Sequence, residues 1–182
     1  MARKVKINLS ELVDTFENGF DELDYYLDVE TGEIVLVTEG DQSALREFEE
    51  EVEIAEDEDV DAKFEEWLDE CGYPGWQLDS IRGAFQVEGG FGSRFIEIPE
   101  QDSHQGYDDM ADFAETVENA KLRNRLAYAL NGSKPFRRFK DALGDDPDEE
   151  KRWFAFSRER TTERVLEWLE DEGIEIEPTE QA

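Results

Sequence analysis

The chain has 182 residues, of which 50 are Asp or Glu and 19 are Lys or Arg, giving a formal net charge of −31. That surplus opposes bare nucleic acid or an anionic membrane as a partner of the chain as a whole, and 38% apolar residues with 12% aromatics argue against a disordered polymer. One Cys and one His leave no internal disulfide and no zinc site of the Cys/His type within the chain.

Val5, Ile7 and Leu9 alternate with polar residues and predict a short strand, after which Ser10 is placed to cap a helix reaching Phe16. "DYYLDVETGEIVLVTEG" reads as a hairpin. Tyr25 to Asp28 and Ile34 to Val37 are its β-prone arms, and Gly32 supplies the positive φ of its tight turn. From Asp41 to Glu70 the acids are opposed only by Arg46 and Lys63. Leu45, Phe48 and Val52, then Phe64, Trp67 and Leu68, keep helical spacing, so two amphipathic helices are expected on either side of "EDEDVD".

"CGYPGWQLDS" interrupts the second helix, with Tyr73 and Trp76 expected to cover an edge of the core. "GAFQVEGGFGSRFIEIPE" predicts a second hairpin, with Phe85 and Val87 on one arm and Phe95, Ile96 and Ile98 on the other. Gly89, Gly90 and Gly92 fit its turn better than a phosphate loop, because no helix and no Lys-Ser/Thr pair follow them. Past Pro99 the chain turns helical. Tyr107, Met110, Ala111, Ala114 and Val117 share one helical face, and Leu122, Leu126, Ala129 and Leu130 share another before Asn131-Gly132. "SKPFRRFKDAL" predicts a helix capped by Ser133 that turns Phe136, Phe139 and Leu143 inward and Arg137, Arg138 and Lys140 outward. Asp146, Pro147 and Glu149 start a last helix that should run to about Glu172 and stop at Gly173.

Four of these stretches, "YYLDVETGEIV", "FIEIPEQDSHQGYDDMADF", "PFRRFKDAL" and "WFAFSRERTTERVLEWLEDEGIE", occur in this order between Val5 and Glu175. Together they resemble the bacterial group called uncharacterised protein family 0158; the region from about Gly40 to Gly92 departs from it. The resemblance implies a small cytoplasmic protein of no assigned activity and supplies no catalytic residue, cofactor or partner.

His104 stands beside Asp102 and Ser103, with Gln105 following. A nucleophilic triad needs an imidazole that reaches the Ser oxygen and a third group that orients it, a geometry that neighbours on one backbone rarely meet. Asp102 or Ser103 as a helix cap, with His104 and Gln105 in an exposed polar patch, accounts for the same letters. A hydrolase-type site around Glu97, Asp102, Ser103 and His104 is the alternative. Glu97, Glu100, Asp102, Asp108 and Asp109 are oxygen-rich but lack the fixed order of a cation-binding loop, so no metal and no cofactor is expected. Twelve of the nineteen basic residues fall between Lys121 and Arg164, where eight acids oppose them, which makes that segment net positive by four. One reading pairs these residues internally. The other places Arg137, Arg138, Lys140, Arg158 and Arg160, near Trp153, Phe154 and Phe156, on a surface for an acidic protein or single-stranded nucleic acid.

The expected architecture is α+β: a single domain over residues 1–182, with a small antiparallel sheet and its helices in about 1–100 and a helical part in about 101–176. The expected role is a non-enzymatic interaction or regulatory module with a basic and aromatic C-terminal surface. Besides the hydrolase, the competing reading is an acidic nucleic-acid mimic acting through Gly40 to Glu70. No run of about 18 apolar residues and no apolar signal core in "MARKVKINLSEL" are present, so a cytoplasmic location without a membrane partner is expected. The acid-rich, lysine-poor composition fits a saline cytosol, where a short Debye length screens self-repulsion. The melting temperature is therefore expected to rise from low to molar salt, measured by circular dichroism; a flat response would assign the acids to a partner instead.

Overall fold

A computed structural model describes residues 3–18 and 23–177. The chain forms two compact units, Met1–Pro99 with Gly173–Ala182, and Glu100–Glu172. In sequence the second is an insertion in the first. No helix among the described residues is long and apolar enough to cross a membrane.

The first unit opens with β1 (Arg3–Val5) and α1 (Leu9–Asn18). The expected cap Ser10 lies inside this helix; the Asn8 side chain, two residues earlier, accepts from the Glu11 amide at 3.3 Å. β2 (Asp24–Asp28) and β3 (Ile34–Val37) form the hairpin, in a register that pairs Tyr26 with Val35. Gly32 at its turn has φ +79°, and a Cβ there would collide with the carbonyl oxygen of Lys6, so the turn requires glycine on two counts.

The acid-rich stretch folds as α2 (Glu39–Glu51) and α3 (Val60–Glu70). Thr38 and Asp41 form a reciprocal capping box at the start of α2, which is why Asp41 is buried among so many solvated acids. The region from Gly75 to Gly90 is a helix, α4, where the sequence pattern suggested a hairpin arm. Phe85 and Val87 alternate over only three residues, whereas Ile81, Ala84 and Val87 recur at helical spacing and are all buried. Only β4 (Phe95–Glu97) survives of that expected hairpin, and it pairs antiparallel with β2 to give the sheet order β3-β2-β4. The core of these elements gathers Phe48, Phe64, Trp67, Leu68, Ile81 and Phe95. Trp76 does not cover it: at 78% exposure it points to solvent from the first turn of α4. Tyr73 does reach inward, stacking obliquely on Trp67 and donating to Glu47 at 2.7 Å.

The second unit is helical: α5 (Ser103–Thr116), α6 (Ala120–Leu130), α7 (Pro135–Leu143) and α8 (Pro147–Asp171). Its core packs Met110, Phe113, Leu126, Phe139, Leu143 and Trp153, with the Phe139 and Trp153 rings 5.0 Å apart. Asp146 caps α8 by accepting from the Glu149 amide. Ser133 does not cap α7; Lys134 occupies that position in the left-handed region, φ 54°, without a side-chain cap bond. After Gly173, φ +70°, β5 (Ile174–Ile176) returns to the first unit and pairs parallel with β1.

One carboxylate ties the sheet of the first unit together. Asp28 accepts from the amides of Glu30 and Thr31, which shapes the hairpin turn, and from Nε and Nη2 of Arg94 at 3.0 and 2.6 Å, which anchors the chain entering β4. Burial alone would raise its pKa, but the bonds from Arg94 and from the Glu30 amide, with the guanidinium charge, outweigh that and hold the carboxyl below its usual value. A carboxyl depressed in the folded state stabilises fully above the unfolded pKa of about 4 and loses that contribution as pH falls through the lower folded value. Asp28→Asn is therefore expected to cost about 2 kcal/mol at neutral pH, and the gap from the unaltered protein should close in urea titrations taken progressively below that window.

Candidate functional site

The start of α5 holds the chain's single histidine. Asp102 is the N-cap, its carboxylate accepting from the His104 amide at 2.9 Å. Ser103, His104 and Gln105 are exposed. Among the described residues, neither the Ser103 hydroxyl nor the His104 imidazole forms a hydrogen bond, so no base is seated against a nucleophile here. Glu97 is an exposed residue of β4 in the first unit, whereas Asp102 to His104 belong to the second. No group of three or more His, Cys, Asp or Glu among the described residues is placed to hold a metal ion.

Asp109, one of the carboxylates grouped with Glu97 above, is buried on α5 and takes a two-pronged ion pair from Arg164 of α8, with bonds of 2.7 and 2.6 Å. That hydrogen-bonded partner raises the Arg164 pKa above its ordinary value. The pair is a clamp between two helices, and its closed geometry leaves no oxygen of Asp109 directed at solvent ligands.

The basic segment divides on inspection. Arg160 pairs with Asp112 at 3.0 Å and lies over the Phe156 ring. Arg152 bonds Glu149 and Thr116 and lies over Phe113. Arg158 is half-buried and engaged as well. Trp153 is buried, while Phe154 is exposed. On α7, Arg137 reaches Asp141 only at 3.9 Å, and Lys140 is exposed without an ion-pair partner among the described residues. Phe136, expected inside, is 40% exposed and rests against Gly106, where α5 has no side chain to keep it away.

Arg138 behaves differently from its neighbours. Its guanidinium lies 5.1 Å from the centroid of Tyr128 on α6 and fills the space that a side chain at Gly132 would occupy. Gly132 thus leaves the room that the guanidinium takes, and the carbonyl end of α6 beside it favours the positive charge. Tyr128 is 72% exposed. Around this pair runs a groove of about 490 Å³ lined also by Asn124, Arg125, Ala129, Asp141 and Ala142, with Arg125 tethered to Asp145 at 2.5 Å.

Of the five basic residues expected to form a surface, the fold brings only Arg138 into this groove. Arg125 and Tyr128 were missed. A signal for them existed, because Lys121, Asn124, Arg125 and Tyr128 follow i, i+3, i+4, i+7 on the α6 face opposite Leu122, Leu126 and Leu130.

For the α5 start, Asp102→Ala is expected to lower stability by about 1 kcal/mol, the usual cost of a lost cap, whereas His104→Ala should stay within about 0.5 kcal/mol of the unaltered protein. Urea denaturation of the two variants checks the contrast, and a larger loss for His104→Ala would mean that the imidazole has a partner of its own.

The family model described as uncharacterised protein family (UPF0158) matches residues 76–181. Three of the four motifs quoted above lie in that range and "YYLDVETGEIV" lies before it. The chain is similar to the UPF0158 protein PA5073 of Pseudomonas aeruginosa, with 39% identity over 66 residues that cover 36% of this chain and 43% of that protein. The chain therefore spans less than half the length of that curated relative. No solved structure matches the chain. With more than half of its residues inside the family model, the chain belongs to the uncharacterised protein family UPF0158.

Proposed function

We propose that the protein is a cytoplasmic, non-enzymatic interaction module whose second unit takes single-stranded nucleic acid at the α6–α7 corner. The observation that carries this reading is the exposed Tyr128 ring with Arg138 held across it beside an open groove. A flat aromatic face stacks on any unpaired base, and a guanidinium fixed next to it meets the phosphate that follows. Lys121 in the first turn of α6 and Lys134 at the start of α7 are exposed positive charges without ion-pair partners among the described residues. The ordering of Arg138 by Tyr128 and Gly132 removes part of the entropy loss that a free arginine would suffer on binding.

The net charge of −31 limits long-range attraction. Affinity must then come from stacking at short range, which salt screens little, and a saline interior would favour such a balance. The non-enzymatic part of the reading is supported by the hydroxyl and imidazole of Ser103 and His104, which stand exposed and unlinked at the start of α5. The hydrolase alternative would need them joined.

Fluorescence anisotropy with labelled twelve-nucleotide oligouridine and oligothymidine tests the proposal. Tyr128→Ala is expected to weaken binding by roughly 5- to 100-fold, the range of one lost base stack. Arg138→Gln should reduce the steepness of the salt dependence by roughly the share of one phosphate contact, and both variants should remain within about 1 kcal/mol of the original stability. If neither oligonucleotide binds and both variants instead lose an acidic protein from a host lysate, the corner serves a protein and the nucleic-acid reading is wrong.

A further inference from the structure

The first unit carries a second open feature of opposite chemistry. Helices α2, α3 and α4 enclose a groove of about 770 Å³. Half-buried Phe85 forms its floor, backed by the buried Phe64 on which it stacks in parallel with centroids 3.8 Å apart and by Phe48, which meets Phe64 edge-on. At its mouth Ile54 and Val60 are 38% and 44% exposed, one in the connection before α3 and the other at the first position of that helix. Apolar side chains around a cleft of this size form a seat for two or three apolar side chains of a partner.

The rim is acidic, and the acids are placed around the seat. Glu49 comes from α2, Asp61 from α3 and Glu88 from α4, so each wall contributes one carboxylate besides the Glu65 of α3 that is taken by Arg82. None of the three has an ion-pair partner among the described residues. The two arginines that also reach the groove are committed, Arg82 to Glu65 by two bonds of 2.8 Å and Arg94 to Asp28. The groove therefore combines an apolar floor with uncompensated negative charge on three sides.

We infer that this groove docks a basic amphipathic segment of a partner protein, with apolar residues seated against Phe85, Ile54 and Val60 and flanking Lys or Arg facing Glu49, Asp61 and Glu88. Charge complementarity selects this occupant. A second copy of the chain would bring the same −31 and the same acidic rim, and a membrane would bring anionic headgroups; like charge opposes both. A purely cationic ligand would leave Ile54 and Val60 exposed. The inference does not rest on the nucleic-acid reading of the second unit, and it differs from charge mimicry of a nucleic acid by requiring the apolar anchor.

The test uses the full chain and three synthetic sixteen-residue peptides observed by fluorescence anisotropy and by amide chemical shifts. One peptide carries Leu at i, i+3, i+4 and i+7 among lysines, one has the same composition with the leucines scattered, and one replaces the lysines by glutamates. The first is expected to bind about tenfold or more tightly than either of the others, and to shift the resonances of residues 45–65 and 82–90. Ile54→Ser with Val60→Ser should cost a further tenfold or so in affinity, while Glu49→Gln with Glu88→Gln should flatten the salt dependence. Circular dichroism of both double variants establishes that they fold, and the wild-type shift map stands even where a variant does not. Equal binding of the ordered and scattered lysine peptides would overturn the inference in favour of charge alone. Shifts confined to other residues, or self-association in place of peptide binding, would overturn it as well.

Discussion

Each unit of this protein contains a carboxylate withdrawn from water and matched with one guanidinium: Asp28 with Arg94 in the first, where buried Asp41 is held by its capping box instead, and Asp109 with Arg164 in the second. A buried ion of either sign left alone costs several kcal/mol, so these pairings are a condition for the elements they join. Asp28 serves three masters at once, two turn amides and the arginine before β4. The sheet order β3-β2-β4 depends on that convergence, because the hairpin turn and the incoming third strand meet at the same carboxyl group. Asp109 and Arg164 do the corresponding work between α5 and α8, with the two forks aligned in parallel.

A chain with 50 acids and 19 bases has few arginines to distribute. Those committed to Asp28, Glu65, Asp109, Asp112 and Glu149 are lost to any binding surface. This internal demand thins the positive charge that a segment net positive by four in sequence can present in space. What remains is local: a guanidinium braced by Tyr128 and Gly132, and lysines at the helix ends. In both proposed binding surfaces the contacts that would discriminate partners are therefore stacking or apolar burial, with charges at the margin.

The parts of the fold that could be read from the sequence are those governed by local rules. The hairpin around Gly32, the helices on either side of residues 52–59 and the Asp146-Pro147 start of α8 each carry a turn or cap signal within a few residues of the element. What escaped was decided by distant packing. α4 contains Gly75, Gly83, Gly89 and Gly90, a composition that disfavours a helix by propensity, yet Gly83 lies where a Cβ would press on Val35 and Gly90 where it would press on Phe95. Those glycines permit the helix to approach β3 and β4 closely, so tertiary contact outweighs propensity. β1 and β5 are three-residue strands at opposite ends of the sequence, and no local pattern announces their pairing. At the candidate site, Arg138 could be picked out by charge, but its partners Tyr128 and Gly132 lie on the preceding helix and its connection, where only the packing of α6 on α7 brings them into reach.

The same close approaches bear on how the surfaces are built. Gly106 admits the Phe136 ring and Gly132 admits the Arg138 guanidinium, so in "PFRRF" an aromatic and a cation are each received by a glycine on another segment of the second unit. That arrangement takes Phe136 partly out of the core and Arg138 partly out of solvent, reversing what helical periodicity alone assigns to them. It also fixes the guanidinium plane, because a side chain packed between a ring and a backbone turn loses the rotamers that a solvated arginine explores. The rigidity of the corner is thus a product of two missing side chains, and any residue larger than glycine at position 132 would release Arg138 while leaving its charge in place. Charge and orientation are separable at this position, and it is orientation, set by Gly132 and Tyr128, that distinguishes Arg138 from the other cations of the segment.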